Sequence, residues 1–325
     1  MYKIFTAFFF IAFFASCNDD AKQNPLYQPP YDKISDSIDK APEKAELYYR
    51  RGILLFQNEQ PVFAEKDIRK AWNLDAKEEY ALSLISLLKQ KNTDSAIAFI
   101  EEASKKLPGN LSLQIGLARG YQQKGNLDEA LNICNEIILK FPGQLDALTL
   151  KAELLKQQNK MEESLAALET AYDFAPDDVE LVHTLAFEYA EAKNSKTLRL
   201  CDSLLAADIQ KSHAEPNYFK GIYYSNIANY AEAIKQFDAA IQRNYYFIDA
   251  YINKGIVYYD QKKYSDALKT FGLATTVSPT YADAYYWSAK TKEAMGNKEA
   301  AKLDYERAYG LDKTMTEAKE AAERL

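Results

Sequence analysis

The chain has 325 residues, 47% hydrophobic and 27% charged, enough apolar surface to fold one large domain or two small ones and too much for a disordered polypeptide. A formal net charge of −7 without any Lys/Arg cluster argues against a nucleic-acid partner. Sparse glycine (11) and proline (10) argue against a loop-rich β protein and for long helices.

Residues 1–16 read MYKIFTAFFFIAFFAS. Lys3 gives a short positive start, an apolar run from Ile4 to Phe14 is interrupted only by Thr6, and small Ala15 and Ser16 precede Cys17. An apolar core this short reads as a signal peptide, since a spanning helix needs about 20 residues. Phe14-Ala15-Ser16-Cys17 resembles a bacterial lipobox, with Phe where Leu is usual. That resemblance implies cleavage before Cys17 and lipidation of its thiol. Two or three acyl chains hold a protein at a membrane where one does not. The next residues, Asn18-Asp19-Asp20, resemble the export signal of Bacteroidota surface lipoproteins. The implied location is the bacterial cell envelope, at the outer membrane, with the periplasmic and surface sides both open. Residues 17–31 carry Pro25, Pro29 and Pro30, and are expected to form an extended spacer.

Residues 32–44, DKISDSIDKAPEK, predict a lone helix with Ile34 and Ile38 facing inward and Pro42 closing it. From residue 45 the chain repeats. A small residue followed three positions later by a large apolar one recurs as Gly52/Leu55, Ala118/Tyr121, Ala152/Leu155, Ala186/Tyr189, Gly221/Tyr224 and Gly255/Tyr258, with Leu84/Leu87 and Ala289/Lys292 less faithful. The intervals are 32, 34, 34, 34, 35, 34 and 34 residues. Twelve residues on, a second small residue follows: Ala64, Ala96, Ala130, Ser164, Ala233, Ala267 and Ala301. This register over residues 45–315 resembles the tetratricopeptide repeat, and the best copy is IDAYINKGIVYYDQKKYSDALKTFGLATTVSPTY from Ile248 to Tyr281. The resemblance implies an all-α, right-handed superhelical solenoid of eight helix-turn-helix units, starting near Ala45, Lys77, Leu111, Leu145, Val179, Ala214, Ile248 and Ala282. Residues 316–325, TEAKEAAERL, read as the polar closing helix such a stack needs. Pro108, Pro142, Pro176 and Pro279 close second helices, and Gly125-Asn126 and Gly296-Asn297 mark turns inside units. The fifth unit is one residue short before Thr197 and then gains residues around Ile209–Pro216, which predicts an irregular loop there.

The family's concave groove is lined by the first helix of each unit. Carried onto this sequence, the groove positions select Tyr49, Ile53 and Phe56 in the first unit, and His183, Phe187, Tyr218, Ile222, Ile252, Ile256, Tyr259 and Tyr286 further on. Aromatic and aliphatic groups that the fold does not need for packing mark an interaction surface. Tyr121, Tyr189, Tyr224, Tyr251 and Tyr258 fall instead in packing slots. The third and fourth units present a polar set, Ser112, Ile115, Arg119, Gln122 and Gln123, then Asp146, Thr149, Glu153, Lys156 and Gln157. Asn253 holds one position of the carboxylate clamp of chaperone-binding relatives, but Tyr218, Ile222 and Asp283 stand where its partners belong. A helix or extended segment of an envelope protein is therefore the expected ligand.

Nothing points to catalysis. No Gly-rich phosphate loop, GxSxG or HExxH occurs. Two histidines and three cysteines without a CxxC pair supply no metal site, and no cofactor is implied. Cys134 and Cys201 read as apolar fillers inside helices. The expectation is a non-catalytic adaptor held to the envelope by its lipid alone. The alternative is an accessory surface lipoprotein of a glycan-uptake or secretion system; the only tryptophans are Trp72, in a second helix away from the groove, and Trp287, which leaves the groove tyrosines to serve as sugar-stacking rings.

Overall fold

A computed structural model describes residues 24–325, so the expected signal peptide and lipidated Cys17 lie outside the described residues. Eighteen α-helices and no strand occur among the described residues. They group into two bodies, residues 24–140 and Phe141–Leu325. The first body holds α1 (Asp32–Lys40), α2 (Ala45–Gln57), α3 (Pro61–Leu74), α4 (Glu78–Lys91), α5 (Thr93–Lys106), α6 (Leu111–Gln123) and α7 (Leu127–Lys140). The second holds α8 (Leu145–Gln157), α9 (Met161–Phe174), α10 (Val179–Glu191), α11 (Lys196–Ala207), α12 (Glu215–Asn226), α13 (Tyr230–Arg243), α14 (Ile248–Asp260), α15 (Tyr264–Val277), α16 (Ala282–Ala294), α17 (Lys298–Leu311) and α18 (Thr316–Arg324).

Close approach explains the small residues. Gly221 lies against the ring of Phe237, and Gly255 against that of Phe271, where any added methyl would overlap the ring. Ala64, Ala96, Ala130, Ala233, Ala267 and Ala301 are fully buried in the facing helices. Where this second slot is polar, its hydroxyl is satisfied by the first helix: Ser164 Oγ donates to the Ala152 carbonyl at 2.8 Å and Thr197 Oγ1 to the Ala186 carbonyl at 2.7 Å. The hydroxyl thus avoids the penalty of a buried unpaired donor.

The turn inside each unit is equally specific. Gly125 and Gly296 take φ of +79° and +83°, and Asn126 and Asn297 donate back five residues to the Tyr121 and Lys292 carbonyls at 2.9 Å. This is the left-handed closure that ties off the last carbonyls of a helix. The same back-bond forms at Lys160, Asn194, Asn229 and Lys263, but there Asn159, Lys193, Ala228 and Lys262 carry the positive φ. Glycine is thus absent from turns whose backbone favours it.

Residues 24–31 correct the spacer expectation. Pro25–Tyr27 is a short 3-10 turn capped by Asn24, Tyr31 is buried, and Ser35 Oγ donates to the Leu26 carbonyl. Pro25 opens this turn, and the segment is held against the first helix. Beneath it, Arg51 donates to both carboxylate oxygens of Asp67, at 2.6 and 2.9 Å, and to Ser35 Oγ at 2.8 Å. This ion pair is almost wholly buried.

The irregular loop is present between α11 and α12. Buried Asp208 organises it by accepting the Ser212 and His213 N–H groups at 3.1 and 2.9 Å and Arg243 Nη1 at 2.7 Å. The His213 and Ser212 amides and the nearby positive charge hold the Asp208 carboxyl below its ordinary range. Among the described residues, no helix is long and apolar enough to cross a membrane.

Candidate functional site: the first-helix face of the second body

The first helices of units five to eight, α10, α12, α14 and α16, share a face rich in aromatic rings. His183 and Phe187 on α10 meet Phe219 on α12 at 5.9 and 5.6 Å between centroids. Tyr218 stands edge-on to Phe247 at 5.0 Å, and its hydroxyl accepts Asn253 Nδ2 at 3.1 Å. Tyr259 and Tyr286 flank Trp287 at 5.8 and 6.0 Å. Burial pushes up the phenols of Tyr218, Tyr259 and Tyr286 and lowers His183, so these rings are neutral at pH 7.

Not every expected residue serves this face. Ile222 and Ile252 are each only 6% exposed. Neighbouring first helices pack directly on one another here, so a branched chain at those positions is covered by the next unit. They belong to the core. In the first body, Tyr49 is drawn into packing against Tyr80 at 4.6 Å with its hydroxyl at 3.1 Å from Ser83 Oγ. Ile53 likewise packs on the core, while Phe56 is 37% exposed. His183, Phe187, Tyr218, Asn253, Ile256, Tyr259 and Tyr286 are half-buried and remain on the face of the second body. Of the packing-slot tyrosines, Tyr189 and Tyr251 are buried.

Two features of the face were missed. Trp287 is outside the groove positions of the unit, yet it lies between Tyr259 and Tyr286. The carboxylates carry no motif, since their shared surroundings come from separate helices. Asp249 and Asp283 sit in the first turns of α14 and α16, where the helix dipole favours an acid. Glu191 and Asp260 are the last residues of α10 and α14, where the dipole opposes one. Burial raises the carboxyls of Glu191, Asp260 and Asp283, with Glu188 adding to the first and Asp249 and Asp312 to the last. Glu215 Oε2, at the start of α12, is enclosed without a hydrogen-bond partner.

Cations are turned away. Lys220 bonds Asp202 at 2.7 Å, Lys254 bonds Asp238 at 2.6 Å and Lys292 bonds Asp304 at 2.5 Å, each reaching a second helix. On the face itself, Lys156 is held by Glu188 at 2.5 Å, and Lys290 lies over the Trp287 ring at 4.3 Å. Among the described residues no group of His, Cys, Asp and Glu could hold a metal ion. Cys201 is buried beside Thr197, and burial pushes its thiol up to about 11, which makes it unreactive.

Models of the tetratricopeptide repeat match residues 87–154, 123–186, 220–282 and 282–315. The chain belongs to the tetratricopeptide-repeat family. Members of this family are generally non-catalytic and bind peptide or protein partners. No curated protein matches the sequence. Among solved structures, the chain is similar to a tetratricopeptide repeat protein from Parabacteroides merdae, at 18% identity and a TM-score of 0.58, covering 86% of this chain and 98% of that one. It is also similar to PilW, a widely conserved type IV pilus biogenesis factor, at 17% identity and a TM-score of 0.50, covering 65% of this chain and 97% of that one. The APC/C hetero-tetramer Cut9-Hcn1 is similar at 12% identity and a TM-score of 0.50. That match covers 92% of this tetratricopeptide-repeat chain and 59% of the other. At these identities the likeness is one of fold, an all-helical repeat solenoid.

Proposed function

We propose that this protein is a non-catalytic interaction scaffold, anchored through lipidated Cys17 in a bacterial cell envelope at the outer membrane. It takes a segment of an envelope partner on the first-helix face of its second body. The observation that carries this reading is the half-buried set of Phe187, Ile256, Tyr259 and Tyr286 on successive first helices, with Tyr259 and Tyr286 flanking Trp287. Aromatic side chains cover area at low entropic cost and dominate binding energy at protein interfaces. The anchor rests on the lipobox-like Phe14-Ala15-Ser16-Cys17.

Glycan capture is the weaker reading. Sugar stacking needs an open ring, and Trp287 has Phe271 stacked on it at 6.4 Å and Lys290 over the ring.

The test is in-cell crosslinking and mass spectrometry on tagged wild type and on an Ile256→Ser/Tyr259→Ala/Tyr286→Ala variant whose helicity is first checked by circular dichroism. One dominant envelope protein captured by wild type and lost by the variant supports the reading. An identical capture set for both sinks it. Labelling with an alkyne fatty acid, present in wild type and absent in Cys17→Ala, tests the anchor separately.

A further inference from the structure

The charges of the second body are segregated in a way its fold does not require. Every lysine on α12, α14 and α16 except Lys290 is directed to a carboxylate on a second helix, which neutralises the back of each unit. The front keeps Glu191, Glu215, Asp249, Asp260 and Asp283, none of which forms a salt bridge among the described residues. Asp249 is stabilised only by the Tyr281 hydroxyl, which donates to it at 2.7 Å. Glu215, Asp249 and Asp283 are half-buried while Glu191 and Asp260 stand at exposed helix ends, and a carboxylate drawn partly out of water without a cation costs stability. The helix-end positions of Glu191 and Asp260 make this worse, since their helix dipoles add negative charge.

Aromatic rings stand within the field of these carboxylates, Tyr218 beside Glu191 and Asp249, Tyr259 beside Asp260 and Tyr286 beside Asp283, and half-buried Phe187 and Ile256 lie on the same first helices. We infer that the occupant of this face is a partner segment bearing lysine or arginine between apolar residues, its cations set against Glu191, Asp249, Asp260 and Asp283. This rests on the docking reading proposed above and adds the partner's chemistry. A guanidinium or ammonium group here gains both a charge-assisted hydrogen bond and the face of a tyrosine ring. An acidic segment would face like charges, with only Lys290 and the Glu188-paired Lys156 to meet it.

The experiment uses the full chain, immobilised, to select from short random peptides displayed on phage, followed by fluorescence anisotropy with the enriched peptides. Enrichment of Lys/Arg interspersed with apolar residues is expected, with affinity falling by about tenfold from low to high salt because the attraction is screened. A Glu191→Gln/Asp260→Asn/Asp283→Asn variant should lose about tenfold for those peptides and gain for their glutamate counterparts. An Ile256→Ser/Tyr259→Ala variant should weaken peptides of every charge. Enrichment of neutral or acidic peptides that the carboxamide variant binds equally overturns the inference and leaves the docking reading standing. Loss of enrichment for all peptides, with the two variants indistinguishable from wild type, overturns both. Self-association of wild type abolished by the carboxamide variant would make a second copy the occupant and also overturn the inference.

Discussion

The two bodies use the same repeat to opposite ends. In the first, polar groups of the helix pairs are matched with one another, in the core and at its surface. Arg51, Asp67 and Ser35 lock together under α1, Glu65 meets both Arg69 and Lys91, and Tyr80 donates to Glu46 from a fully buried ring. Tyr49 and Ile53, half-buried, pack against the same core. In the second, cations are drawn to the backs of the units, and carboxylates and aromatic rings remain on the first-helix face. One body is internally paired; the other is unpaired along one surface. The small-residue slots leave both outcomes open, because they fix how the helices approach and say nothing about what the outer positions do.

Substitution of the two kinds of carboxylate breaks the comparison most sharply. Asp67→Ala strands the Arg51 guanidinium in the core, and chemical denaturation should show a loss of about 3–5 kcal/mol. A loss below about 1 kcal/mol would mean that the pair is not the keystone of the first body. Gly255→Ala comes next, since a methyl against the fully buried Phe271 ring overpacks the second body by about 1–3 kcal/mol. Gly272→Ala, which meets nothing within 4 Å, is the control and should not destabilise. Ala228→Gly is the smallest effect. Its φ of +58° is one that glycine adopts freely, so the change should stabilise by some tenths to about 1 kcal/mol, read as a raised denaturation midpoint. A lowered midpoint would show that unfolded-state entropy outweighs the relieved strain.

The fold was legible because its signal is redundant. Gly52, Ala118, Ala152, Ala186, Gly221 and Gly255 are spaced by the geometry of helix contact, and each unit repeats the message. The missing residue before Thr197 announced the loop that Asp208 organises, although nothing local showed that Asp208 would be its centre. The site was legible only in part. Position within the unit separated Tyr259 and Tyr286 from the packing tyrosines, but failed for Ile222 and Ile252, which helix-to-helix packing buries. The buried Arg51–Asp67 pair lies sixteen residues apart with no motif to flag it. The unneutralised carboxylates were hidden for a related reason. Glu191, Asp260 and Asp283 look like ordinary surface acids until the lysines around them are traced to other partners.

The pH dependence of unfolding therefore tests the central claim most directly, comparing wild type with the Glu191→Gln/Asp260→Asn/Asp283→Asn variant. Glu191 faces Glu188 and Lys156, Asp260 faces Lys290, and Asp283 faces Asp249 and Asp312. A carboxyl whose pKa is raised by folding binds more protons folded than unfolded, so it costs stability above its folded pKa and that cost fades as pH falls through it. The account predicts that the variant is the more stable protein at pH 7 and that its advantage shrinks towards zero as the pH is lowered through the carboxylate range. A variant less stable than wild type at pH 7 would show that these carboxylates are satisfied within the fold, and the unpaired face would not exist.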